Sequence, residues 1–379
     1  MSSDPLDNDK SSLPRFARSA HASHCNRCLS GLPSTQVEAD TSRLAVGFYC
    51  LGVMDMLGLL ESKINETERE RWRDWVWNQQ SSGTYGTGFR PGPYMTGQDS
   101  LCWSDVTQPG DEYSEYDTPH LIMTYTALLS LAILRDDFKR LEKKGILKFL
   151  RSCQRSDGSF SSLPNGGDSD LRQVYCAFAI SSILDDWSGI DVDSAVKYIQ
   201  RCENYEGGYG QSPGGEALGG TTYCALASLH LAPVPSSSSS PSRTPLFSPH
   251  ISTKHRSRTI RWLLQNQTPS GGFCGRTNKV ADACYCFWSG ASLHILGASG
   301  LVDNRALATF LSTCQFKFGG IAKAPEERPD PYHTYMAIAA LAIYPPEDAD
   351  ESWTLPEMNA LWNTTDETAQ WIRDHIHNK

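Results

Sequence analysis

Six segments of the chain share one pattern: an aromatic residue, a small or polar neighbour, and apolar residues at helical spacing. They cover residues 44–57, 122–134, 173–184, 221–231, 283–296 and 333–343, with aromatic anchors at Phe48, Tyr125, Tyr175, Tyr223, Tyr285 and Tyr335. The anchors lie 77, 50, 48, 62 and 50 residues apart. The two long intervals contain a loop over 83–117, rich in glycine and aromatics and expected to be ordered, and a Ser/Pro-rich surface insertion over 233–250. Without them the period is near fifty, the signature of a repeat architecture. Between these segments, and after the last, stretches 68–78, 138–153, 193–202, 256–265, 305–314 and 365–376 carry charge on one face and Trp, Leu or Ile on the other. Glycine turns follow several of them, at Gly158, Gly207-Gly208, Gly271-Gly272 and Gly319-Gly320, and are expected to end the helices through positive φ.

The first set is apolar nearly all round, so those helices must be covered on every side. The second set is amphipathic, as a solvent-facing ring should be. The pattern predicts an all-α fold of six helical hairpins closed into an α6–α6 barrel, or toroid, with a central funnel. An open solenoid needs polar capping repeats, and the sequence has none. A single domain spans 1–379, with 1–14 expected to be disordered.

Composition narrows the function. A hydrophobic content of 39% supports a large core, and the net charge of −9 argues against nucleic-acid binding. Residues 1–20 lack an apolar signal core, and the most apolar stretch, 121–134, is too short to span a bilayer. Twelve cysteines, several inside apolar helical patterns, fit a reducing, cytoplasmic setting.

Chemistry concentrates late in the chain. Asp282 and Cys284 open the fifth inner segment and His333 opens the sixth. Each alone reads as ordinary structure: an N-cap, a core cysteine, a satisfied histidine. Equivalent places in adjacent repeats bring them to one rim, where three ligands leave an open position, the pattern of a catalytic zinc. Arg276, Lys279 and Tyr285 crowd the same segment and suit a diphosphate. Glycine runs such as 207–210 are not phosphate loops, because no Gly-Lys-Ser/Thr follows. The cluster His21, His24, Cys25 and Cys28 has metal-ligand composition, but no second Cys/His pair follows at zinc-finger spacing. It reads as part of an N-terminal helix.

The stretches Met123-Thr124-Tyr125-Thr126, Leu171-Arg172-Gln173-Val174-Tyr175-Cys176, Asp186-Trp187-Ser188-Gly189 and 275–288 resemble the β subunits of protein prenyltransferases, type I geranylgeranyltransferases above all. The resemblance runs from about residue 15 to 343. It implies zinc on Asp282, Cys284 and His333, with a CaaX cysteine thiolate in the fourth position. It implies catalysis through Arg276, Lys279 and Tyr285 at the diphosphate, and an obligate prenyltransferase α subunit. Geranylgeranyl diphosphate and CaaX proteins such as Rho-type small GTPases are the implied substrates. Ala45 aligns with a tryptophan that floors the farnesyltransferase lipid pocket, and its small size leaves room for a longer lipid. Lys323 aligns with a magnesium-binding aspartate, which implies zinc without a magnesium requirement. Tyr125, Arg172, Tyr175 and Trp288 are implied at the isoprenoid pocket, and His120, Asp168, Arg172 and Tyr332 at the peptide. Three departures stand out: Tyr332 is farnesyltransferase-like, Asp168 replaces a longer glutamate, and Leu218 replaces a histidine that contacts the diphosphate. A farnesyltransferase is the alternative Tyr332 supports. A protonation-initiated cyclase needs an Asp-rich motif, which Asp191-Val192-Asp193-Ser194 lacks, and a mere scaffold needs neither metal nor anion site.

Overall fold

The computed structural model describes residues 13–93, 118–164, 166–234, 248–347 and 349–377. Residues 1–12 and most of the 83–117 and 233–250 stretches lie outside the described residues. The helices in chain order are α1 (Arg18–Ser30), α2 (Arg43–Met56), α3 (Leu60–Lys63), α4 (Glu66–Trp77), α5 (Leu121–Ile133), α6 (Lys143–Cys153) and α7 (Leu171–Ile183). After them come α8 (Val192–Arg201), α9 (Gly219–Leu231), α10 (Thr253–Gln265), α11 (Ala283–Ile295), α12 (Asn304–Thr313), α13 (Pro331–Ile343) and α14 (Asp366–Ile372). A 3-10 segment, Ser34–Ser42, links α1 to α2. Among the described residues no helix is long and apolar enough to cross a membrane.

The apolar segments form the inner ring. α5 is buried at every position but Ile122, as an all-round apolar helix must be. α8 buries Ala195, Val196, Tyr198 and Ile199 and starts where the Asp191 carboxylate accepts the Ser194 N–H at 3.0 Å. α4 starts on a capping box between Asn65 and Glu68. The inner helices pack in the cycle α2–α5–α7–α9–α11–α13 and back to α2, so the ring is closed.

Three details differ from the sequence expectation. The 138–153 segment becomes helical only at Lys143, because Phe138 sits at φ 53° with its N–H on the Asp136 carboxylate. The glycines do not end the helices. Gly158, Gly207, Gly271 and Gly319 have positive φ but lie in the turns beyond the helix ends. There each packs on the next outer helix: a Cβ would meet Ser194 O of α8, Arg258 O of α10, Ala306 O of α12 and Ala20 O of α1. The last of these contacts makes α1 the sixth outer helix. His21 secures it: its Nδ1 accepts the Gly320 N–H at 3.0 Å, so its Nε2 carries the proton and donates to Gln315 Oε1 at 3.0 Å.

The third correction concerns the 365–376 segment, which is not an outer helix. It follows a short hairpin, Met358–Asn359 with Thr364–Thr365, that fills the centre of the ring. Hydroxyls of Tyr223, Tyr175, Tyr125 and Tyr335 donate to the carbonyls of Ala360, Leu361, Trp362 and Asn363. α14 sits beneath, its Thr368 hydroxyl on the Asp55 carboxylate that ends α2.

Candidate metal centre and anion site

α11 and α13 are neighbours in the ring and enter it from the same end, which places their first turns together. Asp282 is the N-cap of α11, its Oδ1 accepting the Cys284 N–H at 2.9 Å. Asp330 is the N-cap of α13 and accepts the His333 N–H at 2.9 Å. Two caps thus aim one carboxylate, one thiol and one imidazole at a common point. The donor atoms of Asp282, Cys284 and His333 lie within 4.8 Å of one another, the one such trio among the described residues. His333 Nε2 stands 3.5 Å from Asp282 Oδ1, and its Nδ1 is 2.6 Å from Asp330 Oδ2. Asp330 therefore orients the ring so that Nε2 faces the cluster.

Electrostatics shows what the cluster wants. Burial would lower the His333 pKa, yet hydrogen bonds with Asp282, Asp330 and Cys284 raise it to about 11. Burial opposes ionisation of Asp282 too, and bonds from His333 and Cys284 still hold its pKa below the usual range. Burial pushes the Cys284 thiol up. A site that keeps a proton on imidazole far above neutrality is short of positive charge, and the mixed oxygen, sulfur and nitrogen donors fit a zinc ion.

Tyr285 follows Cys284 directly, and the Arg276 charge acts on it. Arg276 is paired with Glu216, and Lys279 is exposed. Tyr285 is half-buried, and burial raises its pKa, so the phenol keeps its proton. Gly275 lies so close to the Tyr285 ring that a Cβ would strike it, and a Cβ on Gly219 would press on the same ring and strike Ser289 Oγ. Gly219 N–H donates to Gly275 O at 2.8 Å, which ties the start of α9 to this loop. Leu218 stands at the N-cap of α9 and offers no side-chain acceptor, whereas His120, Asp170, Asp282 and Asp330 cap α5, α7, α11 and α13. The first turn of α9 is left without a side-chain cap, next to Arg276 and Tyr285.

The remaining sequence candidates fall on the funnel wall and rim. Tyr125 and Tyr175 are buried with their hydroxyl oxygens 3.0 Å apart, and each donates its proton to a carbonyl of the central hairpin. Trp288 donates its Nε1–H to the Tyr332 hydroxyl at 2.9 Å, and Tyr332 packs edge-on against Tyr49. Lys323 is exposed, and its carbonyl accepts the Ala283 N–H at 2.8 Å, within one residue of two ligands. Ala45 is buried in the first turn of α2, one turn from Phe48, whose ring contacts Tyr125 and Tyr335. α2, which carries it, stands across the ring from α9, and the central hairpin fills the ring's centre. His120 caps α5 through Nδ1, and burial lowers its pKa to about 4. Arg172 binds Asp170 through Nε and Nη2, the shortest contact 2.6 Å, while the exposed Asp168 is 4.0 Å away. The aspartate that holds Arg172 is thus Asp170.

The sequence reading missed Asp330, Asp170 and Glu216. Asp330 and Asp170 carry the signal of an acidic residue just before a helix start, two or three positions before the side chain they orient. Glu216 has no local signal, since its arginine lies 60 residues away.

Known proteins share both fold and sequence. A family model described as the prenyltransferase alpha-alpha toroid domain matches residues 16–364. The chain is 38% identical over 327 residues to the geranylgeranyl transferase type-1 subunit beta of Dictyostelium discoideum, a match covering 84% of this chain and 88% of that one. It is 34% identical over 333 residues to the subunit of the same name from Arabidopsis thaliana, covering 86% and 85%. The solved structure of Candida albicans protein geranylgeranyltransferase-I complexed with GGPP aligns with a TM-score of 0.79 at 28% identity, over 96% of this chain and 100% of that one. With a closed ring of inner helices, three metal-type donors at its rim and these relatives, the chain belongs to the prenyltransferase α-α toroid family.

Proposed function

We propose that the chain is the catalytic β subunit of a zinc-dependent type I protein geranylgeranyltransferase. It would act in the cytoplasm with a prenyltransferase α subunit, moving the lipid of geranylgeranyl diphosphate onto the cysteine of CaaX proteins such as Rho-type GTPases. The observation that carries this reading is the gathering of the Asp282, Cys284 and His333 donor atoms within 4.8 Å of one another, with Tyr285 next in the chain to Cys284. Zinc held by those three residues would supply a thiolate nucleophile at neutral pH, its fourth position open to the substrate cysteine. Asp330 keeps the Nδ1 proton of His333 and so presents Nε2. Arg276 exchanges Glu216 for phosphate oxygens, Lys279 adds charge, and protonated Tyr285 donates a hydrogen bond to the departing diphosphate. The uncapped first turn of α9 offers backbone N–H donors where Leu218 has no side-chain donor.

The lipid would cross the funnel from this rim past Trp288, Tyr125 and Tyr175 to the wall at Ala45, where the small side chain leaves length. Lys323 takes the place of a divalent cation, so magnesium is not required. His120, Tyr332 and Arg172, with Asp168 at its edge, would meet the peptide. Purification with an α subunit, metal analysis and competition between the two prenyl diphosphates test this reading. The expected result is stoichiometric zinc and faster geranylgeranyl transfer. Absence of zinc removes the metal centre, and faster farnesyl transfer favours the reading that Tyr332 suggests. Ala45→Trp should shift the preference toward the shorter lipid.

A further inference from the structure

Outside the funnel, α1, the Ser34–Ser42 segment, α2 and α4 enclose a cavity of about 700 Å³. Its wall includes Cys28 from the last turn of α1, Cys50 from α2, and the indoles of Trp72 and Trp75 from α4. At its inner side the Ser130 hydroxyl is buried without a hydrogen-bond partner. Cys28 is the one cysteine among the described residues that is not fully buried.

The two thiols are matched. Cys28 and Cys50 line the same cavity on two helices that pack against each other, and Cys28 Sγ is 3.8 Å from His24 Nε2, one turn back on α1. The Cys50 hydrogen bond is the largest cause lowering the Cys28 pKa to about 5; burial opposes it, and His24 and Arg27 add to it. The same contacts with Cys25 and Cys28, with burial, raise Cys50 well above its usual value. Both thiols thus line the cavity, and Cys28 is the more exposed of the two. A metal site is the competing reading, and the geometry rejects it, because no three of these donors converge as the Asp282, Cys284 and His333 donors do.

We propose that Cys28 is a modification site for small disulfides of the glutathione type, and that Cys50 resolves the adduct into a Cys28–Cys50 disulfide stapling α1 to α2. The Cys28 thiolate attacks one sulfur of the small disulfide, forming a mixed disulfide and expelling one thiolate. Cys50 then gives up its proton and attacks Cys28 Sγ, and the second small thiol leaves. The protein dithiol loses two electrons, and the small disulfide is reduced to two thiols. The loop so closed contains the Ser34–Ser42 segment, which also borders Asp330 and Tyr332.

The test treats the full-length protein, purified with bound metal and partner retained, with oxidised glutathione, then alkylates and maps the peptides. The expected product is a Cys28–Cys50 cross-linked peptide. Cys50→Ser should stop at a glutathione adduct on Cys28, and Cys28→Ser should give neither product. The pH profile adds a second readout. The titratable and charged side chains around the pair are His24, Arg27 and Cys25 on α1, Arg43 on α2, Asp40 on the 3-10 segment and Arg71 on α4. From about pH 6 to about pH 8 an ordinary thiol gains thiolate, and rate, roughly 75-fold, whereas Cys28 should react at a nearly constant rate. A cross-link through Cys25, adducts that persist in Cys28→Ser, or a rate that climbs with the ordinary thiol would each overturn the proposal.

Discussion

Two neighbouring seams of the ring carry the same residue types and behave in opposite ways. Where α1 closes the outer ring, His21, His24, Cys25 and Cys28 crowd one helix. At the mouth of α11 and α13, a cysteine and a histidine meet two aspartates. His21 is buried without a carboxylate partner, and burial lowers its pKa to about 4. His333 is also largely buried, yet Asp282, Asp330 and Cys284 hold its pKa near about 11. At the first seam His21 is a neutral, hydrogen-bonded joint; at the second, His333 sits in an anionic pocket that suits a cation. Composition alone makes them look alike, and the placement of acidic N-caps separates them.

The sharpest way to break this comparison is to delete one cysteine from each seam. Cys284→Ala should abolish both bound zinc and prenyl transfer, a loss of about a thousandfold or more if the metal activates the nucleophile. Cys25→Ala should leave zinc content unchanged, and zinc loss there would mean the seams had been assigned the wrong way round. Next in size, Gly319→Ala puts a Cβ against Ala20 O at φ 93°. It should cost about 3 kcal/mol, read as a lower midpoint in urea with activity per folded molecule retained. Asp330→Ala should weaken zinc affinity about 10- to 100-fold in a chelator competition, because the imidazole loses its orienting partner. The smallest effect belongs to pH. His21 stays neutral when folded and binds a proton near pH 6.5 when unfolded, so its contribution is present above that pH and is lost as pH falls toward about 4. Urea unfolding should show about 2 kcal/mol less stability at about pH 5 than at about pH 7, and His21→Gln should flatten that slope.

Much of the molecule was legible in the chain because helical periodicity is local. The inner helices begin and end within about two residues of the apolar segments, and the amphipathic stretches from α4 to α12 supply five of the outer helices. Tail and head were exchanged, however. The amphipathic pattern of 365–376 is the same whether the helix lies outside the ring or beneath it. Four tyrosine hydroxyls donating to the central hairpin decide between the two. Asp170 and Glu216 escaped for a similar reason, since the arginines they hold have closer or more familiar candidates in sequence.

The sequence by itself determined the repeat, the inner and outer character of its helices, and the residue types available at each helix mouth, all properties of short windows. Only the tertiary structure decided which mouths are neighbours, and hence that Asp282, Cys284 and His333 share a point while His24, Cys25 and Cys28 do not. The physical reason is range. Helix periodicity and capping act over a few residues, whereas a ligand cluster needs donor atoms some fifty residues apart to be held a few ångströms from one another. Packing of α11 against α13 within the closed inner ring supplies that constraint.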